Sequence, residues 1–236
     1  MTLKNWLLTV GGALVVATVL TLIVLAESIF PPWAPYFMVY AALAVIIPLV
    51  AGTYPFGSFR EVFRTHWKLI LGVFALAVVV DQGVAGWLYQ RVLDMFGVGA
   101  HPFYSLDAAL ETLAEGAAFK FGVSPDAALG LYALFIVLWA PIGEELFYRG
   151  YLQGVLRSKW GFAASALVSA AFFGIRHATH FFFLYPQVPW VAAASWVVSA
   201  FAFGLFMSYL FEKTRSLYPL IVVHAAVNLI DMAFSL

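Results

Sequence analysis

Apolar runs of about 20 residues recur from one end of the chain to the other, and this repetition constrains the fold more than any other feature. A helix of that length spans the hydrocarbon core of a bilayer, whereas a soluble core does not require such runs. Of the 236 residues, 64% are hydrophobic and 10% are charged, against about a quarter charged in a typical soluble domain. The sequence therefore predicts an all-α fold, a polytopic transmembrane helix bundle.

Seven segments have the length and apolar character of a membrane span. They are residues 6–27, 34–56, 67–90, 127–148, 163–185, 189–211 and 217–235. Segment 91–126 is interrupted by Asp107, Glu111, Glu115 and Lys120, and we interpret it as one interfacial or re-entrant helix. Because no internal repeat or low-complexity linker divides the chain, we expect 1–236 to form a single integral membrane domain.

The distribution of basic residues predicts the orientation. With a cytoplasmic N-terminus, nine of the twelve Lys and Arg residues fall on the inner side, and only Arg91, Lys120 and Arg176 lie elsewhere. This bias is the one that the positive-inside rule requires. The run from Trp6 to Ala26 is longer than the apolar part of a signal peptide, so we expect a retained first helix.

The overall charge and the absence of cysteine exclude several kinds of site. The chain has no Cys, which rules out disulfides, thiolate zinc sites and Cys nucleophiles. Its formal net charge is zero, so the total charge gives no argument for nucleic-acid binding, and we expect none. Any bound metal would need His and carboxylate ligands.

Polar residues within the predicted spans select the candidate site, since a charged side chain near the bilayer centre costs about 2.5–3.5 kcal/mol. Glu145 and Arg149 are four residues apart in the favourable order for an ion pair along a helix. Glu144 points about 100° away, and its neighbour at the next turn is Tyr148 rather than a cation. We therefore predict that Glu145 is neutralised locally and that Glu144 is a free carboxylate.

Three further polar residues are predicted to converge on Glu144. A turn at 158–161 would fold the chain into a helical hairpin whose legs, about 16 residues each, bring His177 level with Glu144. His224 and Asn228 lie one turn apart on one helix face and reach the same depth if the hairpin tip projects from the membrane. The site is then expected in the inner half of the bilayer.

This set of groups predicts hydrolytic chemistry. A buried carboxylate with an imidazole can take a proton from water, and two aligned donors can stabilise an oxyanion. Taken alone, each histidine would be interpreted as an ordinary hydrogen-bonded residue without a catalytic role. We interpret His180 as a boundary histidine, and we expect Asp81 and Asp231 to be held by hydrogen bonds between helices, with a proton relay as the alternative.

The order of three motifs resembles a known family. Glu144-Glu145-x-x-x-Arg149, Phe173-x-x-x-His177 and His224-x-x-x-Asn228 occur in successive hydrophobic spans, and this pattern resembles the CAAX protease and bacteriocin-processing enzyme family. The resemblance covers 127–236, which would hold the catalytic helices. It implies an intramembrane endopeptidase in which Glu144 activates water with help from His177, His224 and Asn228 form an oxyanion hole, and Glu145 and Arg149 organise the site. Phe173 would be a packing or substrate-contact residue.

The resemblance leaves the cofactor and the substrate open. We favour a site without metal, but zinc held by Glu144, His177 and His224 is the alternative. The implied partner is a membrane-associated peptide or protein, lipidated or carrying a C-terminal sorting segment. The short loops favour a prokaryotic protein of the inner (cytoplasmic) membrane.

Two other classes of function compete with a protease. A non-catalytic membrane scaffold or immunity protein would retain the fold and bind a partner helix without cleaving it. A proton-coupled transporter would use Asp81, Glu144 and Asp231 as relays, but it predicts an inverted repeat that the sequence lacks.

Overall fold

The computed structural model describes residues 1–27, 36–95, 122–184 and 190–233, and these residues form helices joined by short turns. The elements in chain order are α1 (Leu3–Leu7), α2 (Val10–Glu27), α3 (Tyr36–Ala51), α4 (Phe59–Val78), α5 (Gly86–Met95), α6 (Pro125–Leu134), α7 (Ala140–Glu144), α8 (Gly154–Leu184), α9 (Trp190–Thr214) and α10 (Tyr218–Ala233). The described residues include no strand. The predicted all-α class is confirmed for this part of the chain.

In the described part of the chain, three π-helical segments join consecutive helices without a loop. They are Val79–Ala85 between α4 and α5, Phe135–Trp139 between α6 and α7, and Glu145–Gln153 between α7 and α8. A π-helical turn widens the helix and occurs frequently at functional sites. The longest of them begins at Glu145, so the two adjacent acids lie where an α-helix becomes a π-helix.

Local signals explain where several helices begin and end. The Ser58 side chain caps α4 by accepting a hydrogen bond from the Glu61 amide, and Ser124 caps α6 ahead of Pro125 at its first position. Gly52 follows α3 with φ +77° and its amide donates to the Pro48 carbonyl, a glycine stop for that helix. Helix α4 therefore starts eight residues before the predicted span 67–90 because a cap, rather than an apolar residue, sets its beginning.

The hairpin turn predicted at 158–161 is confirmed at Gly161, the last residue of that range. Gly161 has φ +77° within α8, a conformation that glycine adopts readily and that divides α8 into two legs. The leg after Gly161 packs along α9. At Gly174 the backbones approach so closely that an added Cβ would lie 2.9 Å from the Val197 carbonyl oxygen.

Among the described residues, two helical stretches are long and apolar enough to cross a membrane, Phe59–Asp81 and Pro125–Ala178. Val10–Leu25, Val39–Ala51 and Tyr218–Ala233 are shorter apolar helices. Large apolar side chains such as Leu131, Leu134 and Val198 are exposed on the outside of the bundle, as lipid-facing residues would be. These features are consistent with an integral membrane protein. The number of seven spans stays a prediction, and most of the predicted helix at 91–126 lies outside the described residues.

Candidate functional site

Four helices and a π-helical segment meet around the two adjacent acids. The chain at Glu144 and Glu145 packs against α3 on one side and α8 on another, and α10 packs against α7. The side chains of Glu144, Glu145, Arg149, Arg176 and His224 are all buried. Burial of so many ionisable groups requires that they satisfy one another, because water does not reach them.

Glu145 accepts two charge-assisted hydrogen bonds through one oxygen. Its Oε1 lies 3.1 Å from Arg149 Nη1 and 2.8 Å from His224 Nδ1. The predicted ion pair between Glu145 and Arg149 is therefore confirmed, and both side chains are 0% exposed. Arg149 also donates from Nη2 to the Gly204 carbonyl of α9 at 3.1 Å. Glu145 and Arg149 together therefore connect the π-helical segment Glu145–Gln153 with α9 and α10.

The prediction that Glu144 is a free carboxylate is wrong. Its Oε1 lies 2.6 Å from Arg176 Nη2, in an ion pair whose side chains are 5% and 3% exposed. Its other oxygen, Oε2, lies 3.7 Å from His224 Nε2, which is too long for a hydrogen bond. Spacing of four residues along one helix could not predict this pair, because Arg176 lies in α8, 32 residues further along the chain.

His177 is linked to Glu144 through the same guanidinium. Arg176 Nη1 lies 2.9 Å from His177 Nε2, and His177 Nδ1 lies 2.7 Å from the Phe173 carbonyl oxygen one turn earlier. An arginine can only donate and a carbonyl can only accept, so the ring carries its proton on Nδ1 and accepts at Nε2. The predicted placement of His177 level with Glu144 is thus met, with Arg176 joining the two.

His224 and Asn228 both lie on α10 beside the acids but face different partners. Because Glu145 accepts from His224 Nδ1, Nε2 can donate to another acceptor only when the ring carries both protons. Asn228 Nδ2 donates to the Ile136 carbonyl at 2.9 Å, within the π-helical segment Phe135–Trp139. One N–H of the Asn228 amide is therefore used by the protein itself.

Phe173 packs its apolar ring against the ionisable groups of the cluster. Its ring is 1% exposed and lies 4.6 Å from the Arg149 guanidinium and 4.5 Å from the His177 ring. Edge-on contacts join it to Tyr148 at 5.2 Å and to His224 at 6.0 Å. A ring in this position excludes water and stacks on a cation, so the structure places Phe173 as a packing residue between the ionisable groups.

The charges of the cluster balance, since two carboxylates face two guanidiniums, but the donor set does not fit zinc. Arg176 occupies one oxygen of Glu144 and Nε2 of His177, and the Phe173 carbonyl occupies Nδ1 of His177. Zinc needs deprotonated ligand atoms converging on one point. Across the described residues, no group of three or more His, Asp or Glu side chains is arranged to hold a metal ion.

Arg176 and Tyr40 are the residues that sequence reasoning missed. The Arg176 guanidinium lies 5.1 Å from the Tyr40 ring, and the Tyr40 hydroxyl lies 3.4 Å from that of Tyr148. Arg176 carried a signal, because a cation within a span requires an anion and Glu144 was the acid without a local partner. Tyr40 lies in α3, in an apolar run with no comparable signal.

Two other predicted polar residues lie apart from this cluster. Asp81 accepts a hydrogen bond from Ser199 at 3.2 Å, which confirms its predicted contact between helices. Asp231 lies in α10 and also has a partner. The His180 side chain lies outside the part of the chain whose side chains are described.

Comparison with known families bears directly on this site. Residues 126–230 match the family described as type II CAAX prenyl endopeptidase, Rce1-like. No curated protein and no solved structure matches the chain. The matched region contains α6 to α10 almost in full and every predicted site residue, whereas α1 to α5, including Tyr40, lie before it. The family resemblance of the three motifs is therefore confirmed over residues 126–230, the part of the chain that matches this family.

Proposed function

We propose that the protein is an intramembrane endopeptidase that hydrolyses a peptide bond near the membrane interface. The observation that carries this proposal is a cluster in which Arg176 joins Glu144 to His177, while Glu145 holds His224 with its Nε2 3.7 Å from Glu144 Oε2. The matched family contributes the reaction class, a CAAX-type peptide hydrolysis. The substrate is a membrane-associated peptide or protein, lipidated or carrying a C-terminal sorting segment.

Glu144 acts as the general base in the proposed reaction. Its carboxylate takes a proton from water, and the water oxygen attacks the carbonyl carbon of the scissile bond. His177 positions the water through the lone pair on Nε2, which must first be released by Arg176. The resulting oxyanion accepts a hydrogen bond from the second N–H of Asn228 and, when the His224 ring carries both protons, another from His224 Nε2. When the C–N bond breaks, Glu144 returns its proton to the leaving amine, so no proton is gained or lost in the site.

Glu145 and Arg149 act as positioning residues. Glu145 fixes the His224 ring through Nδ1 and so aims Nε2 at the space beside Glu144. Arg149 balances the Glu145 charge and anchors it to α9. A hydrogen-bond acceptor on one ring nitrogen of a catalytic histidine sets the tautomer and the orientation of the ring.

We propose a mechanism without metal, since Arg176 supplies the positive charge that a zinc ion would bring to Glu144. The test is the purified full-length protein in lipid nanodiscs, assayed against a library of lipidated and unlipidated membrane peptides with and without a chelator. We expect cleavage that the chelator leaves unchanged. Activity that disappears with chelator and returns with zinc contradicts the metal-free mechanism. A folded protein that cleaves no peptide favours the scaffold function instead.

We also propose that the protein lies in a prokaryotic inner membrane with its N-terminus in the cytoplasm, as nine of its twelve basic residues favour. The site then lies in the inner half of the bilayer. Because the chain has no cysteine, Thr2→Cys introduces a single thiol beside the N-terminus. We expect an impermeant thiol reagent to label Thr2→Cys in inside-out vesicles but not in intact spheroplasts, and the reverse pattern contradicts this orientation.

A further inference from the structure

Three connections between helices meet at one end of the bundle. The Leu217 amide donates to the Pro55 carbonyl at 2.9 Å, which joins the turn before α10 to the loop after α3. Arg157, in the first leg of α8, pairs with Glu212 near the end of α9 at 3.1 Å, so the hairpin turn at Gly161 lies at the same end. Because these connections join apolar helices, this end of an integral membrane protein lies at the membrane surface.

Four basic residues at this end form what we call the basic patch: Arg157, Lys159, Lys213 and Arg215. Both lysines are exposed, and the side chains of the two arginines are 37% and 61% exposed. The two guanidiniums share a single oxygen of Glu212, at 3.1 and 2.8 Å. One carboxylate cannot balance both, so these four bases and one acid leave a surplus of positive charge at an accessible surface.

The backbone of Arg215 has a conformation that favours glycine. Its φ is +52°, in the left-handed region, and its amide donates to the Phe211 carbonyl at 2.8 Å to end α9. Glycine adopts this conformation without the steric cost that arginine has. The helix end alone therefore favours glycine, and the exposed guanidinium is what arginine adds at this position.

Exposed aromatic rings accompany the basic patch. Trp160 follows Lys159 directly and is 43% exposed, and Tyr209 is 44% exposed with the Lys213 ammonium 5.4 Å from its ring. Trp and Tyr side chains of membrane proteins are enriched at the level of the lipid headgroups. Lysine and arginine extend their charged ends to the same level while their stems cover apolar surface. The basic patch is therefore at the depth of the headgroup phosphates.

We propose that the basic patch binds the headgroup phosphate of an anionic phospholipid. The oxygens of a phosphate diester accept paired hydrogen bonds from a guanidinium. The surplus positive charge favours a lipid with a net negative charge over a zwitterionic lipid that carries the same phosphate. This inference is independent of the proposed protease activity, since the basic patch lies apart from the cluster around Glu144.

The experiment measures lipid binding by native mass spectrometry of the full-length protein in detergent micelles. Phosphatidylglycerol and phosphatidylcholine with the same acyl chains are titrated separately. We expect the wild-type protein to bind phosphatidylglycerol at least about tenfold more tightly. The double variant Lys159→Gln with Arg215→Gln retains the pair between Arg157 and Glu212. Its Kd for phosphatidylglycerol should rise by about 25-fold, about fivefold for each base removed, while its Kd for phosphatidylcholine stays close to wild type.

Arg91→Gln is the matched control. It also removes an exposed base beside an exposed tryptophan, since the Arg91 guanidinium lies 5.7 Å from the Trp87 ring, but α5 follows the far end of α4. We expect its Kd for phosphatidylglycerol to stay within about twofold of wild type, because charges so far apart are screened. An equal loss of affinity in Arg91→Gln and in the double variant means that net charge alone attracts the lipid, which overturns the proposal.

Three further outcomes also overturn it. The first is equal binding of the two lipids by the wild-type protein, and the second is a folded double variant with wild-type affinity for phosphatidylglycerol. The third is displacement of the lipid by inorganic phosphate beyond that by chloride at the same ionic strength, which indicates a site for a soluble phosphate. Should the double variant fail to fold, Lys213→Gln decides, since it leaves both arginines on Glu212. Its Kd should rise by about fivefold, and an unchanged Kd contradicts the proposal.

Discussion

Glu144→Gln lowers the rate of peptide cleavage by about 10²- to 10⁴-fold, the contribution expected of a general base. The amide retains the size of the carboxylate but cannot take a proton from water. Because Glu144 is buried and lies on the proposed water site rather than in a binding surface, we expect the loss in kcat rather than in KM. The measurement is steady-state cleavage of the best library peptide by protein in nanodiscs.

Glu212→Gln is the matched control for this substitution. Glu212 lies at the end of α9 and pairs with Arg157 at 3.1 Å and Arg215 at 2.8 Å, remote from the cluster in a partly exposed position. We expect its activity to remain close to wild type, because exposed ion pairs contribute little. Since Glu144→Gln also removes the partner of Arg176, thermal unfolding must be compared, and rates are measured below the lower midpoint. A folded Glu144→Gln protein with nearly full activity refutes the role of Glu144.

The hairpin that brings Glu144 and His177 together was predictable because its determinants are local. Helix length follows from the apolar run, and a glycine near the middle of the segment provides the turn, which the structure places at Gly161. The ion pair between Glu145 and Arg149 was equally predictable, since it depends on spacing within one helix. These two features, together with the three motifs, locate the site from sequence.

The contacts between helices were not predictable in the same way. The partner of Glu144 is Arg176, and its identity depends on how α8 is rotated against α7. Likewise, the hydrogen bond from His224 Nδ1 to Glu145 was not predicted, because it joins two different helical elements. The period of 3.6 residues shows which side of its own helix a residue lies on, but not which residue of another helix it contacts. The π-helical segment that begins at Glu145 also changes the direction of the side chains that follow it.

The resulting site differs from the predicted one in its resting state. An open carboxylate would be ready to bind water at all times, whereas Glu144 is held by a buried cation and His177 by the same cation. The two carboxylates and the two guanidiniums therefore compensate one another, which lowers the cost of burying charges among apolar helices.

Arg149→Met is expected to destabilise the protein by about 3–5 kcal/mol, the largest effect on stability that the cluster offers. The substitution leaves the Glu145 carboxylate, itself 0% exposed, without its cation. It also removes the hydrogen bond to the Gly204 carbonyl and the stacking on Phe173. Arg157→Met is the matched control, since Arg157 is 37% exposed in its pair with Glu212, and we expect at most about 1 kcal/mol there. Reversible unfolding in mixed micelles gives both values.

The double variant Glu145→Leu with Arg149→Met separates stability from activity. Glu145 Oε2 and Arg149 Nε are buried without a hydrogen-bond partner among the described residues, so the wild-type pair is incompletely satisfied. Replacement of both charges by apolar groups should therefore recover most of the lost stability. Activity should stay low, because His224 has lost the acceptor that fixes its Nδ1 proton. If the double variant recovers cleavage along with stability, Glu145 does not position His224.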